Sequence, residues 1–306
     1  MSEIIPFPKL QEKLCADIKQ AIDSDRYEVA YDAFMVYEKH FELTDALALL
    51  KCQVLWELEA YLELREETHI MIKQEYSFQD ELMIYHVKSL YALEQYQSVV
   101  SIVEAVLDQT QSHETRMILL PIKDQAKRQL QERQEVMQQQ IQQFEQLSAP
   151  QQTELILSLI DDSAYHFADS IAYLMTNAHI RTKLQSLMLE YLRFARYNQS
   201  IQCEMYGKQF DIVPSELVGF EETHFVTVIV PQVIELLETE YPSLVREAHV
   251  HLNSHNVAMY PIDTTQIADD QTWIETYFVY FEEMMGLPPT YSAEATVMDF
   301  IKLLNT

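Results

Sequence analysis

Glycine is nearly missing from this sequence. Three occur among 306 residues, where about 7% is usual. Sheet proteins and phosphate-cradling loops need glycine where the backbone turns to positive φ. So few argue against sandwiches, dinucleotide-binding folds and P-loops. No Gly-rich phosphate fingerprint is present, and no cofactor is called for. Cysteine is also scarce. Cys15, Cys52 and Cys203 are odd in number and form no CxxC pair, which fits reduced thiols rather than a disulfide framework. Basic residues are few: 21 Lys and Arg stand against 48 Asp and Glu, a net charge of −27. Nucleic acids and anionic membranes are recognised through Lys and Arg, so neither is an expected partner. Long apolar runs are absent as well; Phe225–Val230 is far too short to span a bilayer. The opening MSEIIPFPKL has neither the basic start nor the apolar stretch of a signal peptide. The expectation is a cytoplasmic chain.

What is present is a normal supply of core-forming residues, 48% hydrophobic, so a folded protein is expected. The acid excess is uneven. Residues 204–306 hold 17 Asp and Glu against 3 Lys and Arg. Such an excess either forms a solvated face or offers a dock to a basic partner segment.

Three segments align: DSDRYEVAYDAFMVYEKHF from Asp23, ELEAYLELREETHIMIKQE from Glu57, and ALEQYQSVVSIVEAVLDQ from Ala92. Tyr27, Tyr61 and Tyr96 fall in register at separations of 34 and 35. Each Tyr follows one helix-length apolar pattern and precedes another, so the unit is helix, tight turn, helix. The Tyr is placed to wedge between the two helices. This pattern resembles the tetratricopeptide repeat (TPR), in which an aromatic follows the turn, Ala stands three residues on and a second aromatic four further. Tyr27, Ala30 and Phe34 match it. Leu64 and Val99 replace the Ala, and Thr68 and Val103 replace the second aromatic. Where the repeat places Gly before the turn, Asp25, Glu59 and Glu94 stand. The alternative is an antiparallel helix array with a chance period.

The Gln-rich stretch 125–147 lacks Gly and Pro and carries a sparse apolar stripe, so one long capping helix is expected there, ended by Ser148-Ala149-Pro150. A repeat domain over 1–147 and an acidic helical domain over 148–306 follow. In the second, helices are expected over 151–160, 165–176, 180–197, 227–240, 244–252, 271–285 and 292–304, with Ser243 and Asp269 or Asp270 as caps. The period switches to alternation around Gly207, predicting a hairpin with strands near 200–206 and 209–213. The fold class is therefore mainly α: a TPR-like α-solenoid, then a helical C-terminal domain with a small β-hairpin. The order RTKLQSLMLEYL, IVPSEL, IELLETEYPSLVREA and MYP is also similar to a family of cytosolic tetratricopeptide-repeat proteins of low-GC Gram-positive bacteria. That resemblance implies fold and compartment and brings no activity.

Chemistry-bearing clusters are weak. His249, His251 and His255 in HVHLNSH lack the spacing and the Glu of a zinc-protease helix, so no metal site is expected. Glu221, Glu222 and His224, the pair Asp161 and Asp162, Ser215 and Cys203 form no acid/base dyad, nucleophile elbow or Cys–His couple. Trp273, Tyr277, Phe278, Tyr280 and Phe281 recur at helical spacing and read as core, with room for some exposure. The TPR resemblance implies a concave groove lined by the first helix of each repeat. Its positions become Ala46, Leu49, Gln53 and Trp56, then Glu81, Ile84, Lys88 and Tyr91. Of these, Gln53, Trp56, Ile84, Lys88 and Tyr91 are the expected partner-binding residues, with the two aromatics as anchors. A carboxylate clamp would need several converging cations, and only Lys88 remains. The expected function is non-enzymatic binding of a protein or peptide, with a basic segment suited to the acidic surface. A peptide-sensing regulator and an enzyme with a diffuse helical site are the alternatives.

Overall fold

The computed structural model describes residues 9–74, 76–107, 112–178 and 180–305. The signal-peptide reading of residues 1–8 and the end of the third repeat at Asp108 and Gln109 lie outside them. The described residues contain fourteen α-helices and one two-stranded sheet and divide into two compact units, up to Val136 and from Met137.

The first unit contains α1 (Leu10–Asp23), α2 (Tyr27–Glu38), α3 (Asp45–Glu57), α4 (Tyr61–Lys73), α5 (Gln79–Ala92) and α6 (Tyr96–Leu107). Each repeat is one hairpin of these helices. The consensus positions form its core: Ala30, Leu64 and Val99 after the Tyr, then Phe34, Thr68 and Val103, all 0% exposed. Burial of a hydroxyl at Thr68 is satisfied by the Leu64 carbonyl at 2.6 Å and His86 Nδ1 at 3.0 Å. The turn between paired helices is the same each time. Asp25, Glu59 and Glu94 take φ of 52°, 55° and 58°, the left-handed conformation that glycine adopts most easily. The next N–H in each case reaches five residues back: Arg26 to Ala21, Ala60 to Leu55 and Gln95 to Leu90, all at 2.9 Å. These bonds satisfy carbonyls that a helix end otherwise leaves unpaired.

The helix expected over 125–147 starts earlier and ends sooner. α7 spans His113–Gln142 with Pro121 inside it, and a separate 3₁₀ turn follows at Phe144–Gln146. Pro121 removes one donor. Met117, whose carbonyl would have accepted it, is an exposed residue. Leu119, Ala126 and Leu130 of α7 pack with Val87, Val99 and Val103 in the first unit.

In the second unit, α8 (Ala149–Asp161) starts with a capping box in which Ser148 and Gln151 exchange bonds. A 3₁₀ turn at Tyr165–Phe167 leads into α9 (Ala168–Asn177), and α10 (Thr182–Phe194) follows. Here the repeat turn recurs. Ser163 has φ 50° and Arg196 φ 54°, while Ala164 donates to Leu159 and Tyr197 to Leu192, each at 2.9 Å. Ser163 precedes Tyr165 by two residues, and Ala168 stands three beyond it. This is the spacing of Asp25, Tyr27 and Ala30, so the turn is of the same kind, although α8 and α9 each pack on α10 and not on one another as the repeat helices do.

After α10, β1 (Ile201–Met205) and β2 (Lys208–Ile212) pair antiparallel with Met205 opposite Lys208. Tyr206 and Gly207 both take positive φ, as a two-residue hairpin turn requires. Ile201, Cys203 and Met205 face the core of α8, α9 and α10. A π-helical turn at Phe225–Ile229 continues into α11 (Val230–Glu240). Pro231 lies just beyond it; the ring excludes regular α-geometry in the preceding turn. α12 (Val245–Met259) follows a 3₁₀ turn at Pro242–Leu244. Ser243 therefore lies inside that turn and does not cap α12. α13 (Asp270–Met284) is capped by Asp269, which accepts from the Thr272 N–H, and α14 (Ala295–Leu304) closes the chain. α13 is core on nearly every side, with Trp273, Tyr277, Phe278, Tyr280 and Phe281 all at most 7% exposed. The partial exposure expected of that cluster is absent, because α11, α12 and α14 contribute to the same core.

Candidate functional site

Ala46, Leu49, Gln53 and Trp56 recur at intervals of three and four on α3, and Glu81, Ile84, Lys88 and Tyr91 do so on α5. Each set lies on one helix face. The two helices are neighbours, and the facing lines meet at one place: Lys88 Nζ stands 5.5 Å from the Trp56 ring centroid and 5.9 Å from that of Tyr85. This is cation–π distance. Gln53, Trp56, Ile84, Lys88 and Tyr91 are all half-buried.

The aromatic anchors are less open than groove residues would be. Trp56 lies 5.2 Å from Tyr61, and Tyr91 lies 5.3 Å from Tyr96, both tilted. The pairs are equivalent, each joining the last turn of the first helix to the first residue of the second. So the Tyr wedge packs on its own hairpin's aromatic, at the ring separation and tilt that aromatic quadrupoles favour. Tyr91 belongs to the cluster of α5, α6 and α7, and Trp56 to that of α3, α4 and α5. The third repeat carries one more layer. Arg133 of α7 lies 4.5 Å over Tyr96 and bonds the Glu94 carbonyl at 3.2 Å and its carboxylate.

Behind this face sits a charge cluster that the sequence reading did not single out. Lys51 of α3 has a side chain only 3% exposed, with Glu38 of α2 at 2.7 Å and Glu67 of α4 at 3.0 Å. Burial pulls its ammonium down, yet the two carboxylates outweigh this and hold it above its ordinary value. The signal was present: a lysine at a core position of α3, between Leu47, Ala48 and Cys52.

The histidine run is structural. His255 is 1% exposed, with Nδ1 3.1 Å from Tyr277 Oη and Nε2 3.1 Å from Asn305 Oδ1. Both ring nitrogens are engaged, and burial holds its pKa below the usual histidine value. His249 is exposed and His251 half-buried. His224 pairs with Asp270 at 2.8 Å instead of Glu221 or Glu222. Cys203 is buried on the hairpin, its thiol pushed up to about 11 by burial; Cys52 is pushed up to about 12 for the same first reason. Neither is a poised nucleophile. Cys15 is half-buried.

The repeated turn, the helix pairs and the aromatic wedge make this a mainly α-helical repeat protein resembling the tetratricopeptide-repeat class. No family model matches the chain. It is similar to the TPR repeat-containing protein YsoA of Bacillus subtilis (strain 168), with 22% identity over 294 residues, covering 94% of this chain and 88% of that protein. No solved structure matches. Among the described residues, no helix is long and apolar enough to cross a membrane.

Proposed function

We propose that the first unit is a non-enzymatic docking module that holds a peptide or helix of a protein partner along the face shared by α3 and α5. The observation that carries this reading is the Lys88–Trp56 contact. It joins the groove lines of two successive repeats into one patch with an aromatic surface and a cation. Aromatic and cationic side chains together are the usual energetic centre of an interface. The hydrogen-bonded state of His255 and the burial of Cys52 and Cys203 support a binding role over catalysis. The similarity to a TPR repeat-containing protein points the same way. The chain's acid excess favours a partner segment with basic residues.

The test is affinity capture from a cytosolic extract with the intact chain, Gln53→Ala and Lys88→Ala. A partner bound on this face should be retained by the intact chain and reduced at least tenfold by Lys88→Ala. The variant should melt within a few degrees of the parent. Equal capture by parent and variant would exclude the α3–α5 face.

A further inference from the structure

A cavity of about 1070 Å³ opens in the second unit, walled by α8, the start of α10, Tyr206 and the end of α14. Counting back from the left-handed residue of each repeat turn, Trp56 and Tyr91 stand at minus three, Gln53 and Lys88 at minus six. Leu157 of α8 is the minus-six residue of Ser163. It lines this cavity and is 45% exposed, and Leu303 on the opposing wall is 44% exposed.

The walls carry opposite charges. Glu154 and Asp161 stand on the α8 side, and Arg181 and Lys183 at the start of α10. All four are exposed. Among the described residues none of them takes part in an ion pair. Arg181 and Lys183 are notable because residues 137–306 hold only seven Lys and Arg.

We propose that this groove receives an amphipathic α-helix of a protein partner, its apolar edge on Leu157 and Leu303. Basic residues along one flank would meet Glu154 and Asp161, and acidic residues along the other Arg181 and Lys183. Dimensions favour a helix. The lining residues of α8 run from Ala149 to Asp161, the whole helix, which at 1.5 Å per residue is about 20 Å. The groove cross-section is then about 50 Å², roughly half that of a helix about 11 Å across with its side chains. A helix would sink halfway in, burying one face and leaving the other in water. An extended strand would need unpaired backbone donors along the walls. The long wall is α8, whose backbone beyond its first turn is bonded within itself, so strand addition finds no edge there. The opposed charges fix the direction in which the helix lies, since reversal places like charges together.

The test pans the intact chain against a displayed library of single-helix peptides and measures the enriched peptide by fluorescence anisotropy. Enriched sequences should repeat Leu, Met or Phe at three- and four-residue spacing, with Lys or Arg on one flank and Asp or Glu on the other. Leu157→Asp should weaken binding at least tenfold, and the gentler Leu157→Ala several-fold, both with unchanged helix content. Glu154→Lys with Asp161→Lys should also weaken it, and a peptide with its basic flank changed to Glu should recover it. The proposal is overturned if no such pattern is enriched, if Leu157→Asp binds like the parent, or if the reversed peptide gives no recovery. Binding lost in Lys88→Ala but kept in Leu157→Asp would place the peptide on the first unit and also sink it. Sedimentation showing a dimer that Leu157→Asp dissociates would replace the helix with a second copy of this chain.

Discussion

Replacing Lys51 by Met should destabilise the first unit heavily, although neither the fold nor the hydrophobic volume changes. The Lys51 ammonium lies 2.7 Å from Glu38 and 3.0 Å from Glu67, so one cation balances two carboxylates. Met retains the stem and removes the charge, leaving Glu38 and Glu67 facing each other without a counter-ion. Breaking a fully buried pair costs about 3–5 kcal/mol. Here the carboxylate side chains are 29% and 28% exposed and can turn toward water, which lowers the expected cost to roughly 2–4 kcal/mol. For a unit of this size that is a fall in Tm of about 10 °C. Circular dichroism at 222 nm during heating at pH 7 reads it. The ammonium's pKa is raised on folding, so its contribution is fully present below its unfolded value and is lost only as pH rises through the folded one. The effect of Lys51→Met should therefore be flat with pH through neutrality and vanish in strong alkali. Lys51→Met with Glu38→Gln and Glu67→Gln should recover at least half the loss, because the stranded charges are gone. A single variant melting within a degree of the parent, or a triple variant no better than the single, would refute this account.

Thiol reactivity should separate the cysteines: under native conditions at pH 8, iodoacetamide should label Cys15 first, with Cys52 and Cys203 reacting at least tenfold more slowly. Mass spectrometry of the labelled peptides checks this, and equal rates for the three would contradict the burial of the latter two. His86 and His255 are both held below the ordinary histidine pKa, chiefly by burial, so the unfolded chain takes up their protons first as pH falls below about 6.5. Stability should decline from there downward, and urea midpoints at pH 7.5 and 5.5 should differ less in a His86→Gln, His255→Gln variant than in the parent.

Helix and strand content was legible because burial leaves a period in the sequence. The 3.6-residue pattern located the helices, and alternation around Gly207 located the hairpin to within one residue at most ends. Three features escaped for physical reasons. The part of α7 before residue 125 was not read as belonging to this helix, which begins at His113 and carries Pro121 inside it. Ser243 read as a cap, but Pro242 begins a 3₁₀ turn that displaces the helix start. The recurrence of the turn at Ser163 went unnoticed because Tyr165 lies 69 residues beyond Tyr96, twice the repeat length, and because Ala172 takes the place of the second aromatic. What persists from copy to copy is backbone closure, not glycine. Asp25, Glu59, Glu94, Ser163 and Arg196 all enter the left-handed region, where a side chain costs about 1–2 kcal/mol, and all are followed by the same five-residue hydrogen bond. The candidate groove residues were chosen by resemblance alone. Their half-burial was not legible, because it depends on Tyr61 and Tyr96 folding back onto Trp56 and Tyr91.

Equivalent places before these turns do not make equivalent sites. At minus six from the left-handed residue stand Gln53, Lys88, Leu157 and Glu190, and at minus three Trp56, Tyr91, Ile160 and Arg193. On α10 this line is consumed internally. Both oxygens of Glu190 hold the Arg193 guanidinium, at 2.8 and 2.6 Å, and that hydrogen bonding raises the Arg193 pKa. A Cβ on Gly219 would come within 3.0 Å of Arg193 Nη2, so the bare glycine lets the loop close directly over the pair. The upper part of α10 is thereby sealed, and only its first turn, at Lys183, faces the groove against α8. On α3 and α5 the same line carries an aromatic, with Lys88 over Trp56. The backbone repeat sets where a partner could lie along each pair of helices. Whether that place is open, and to what chemistry, is set by the two side chains at these fixed offsets from the turn, and these have diverged further than the turn itself.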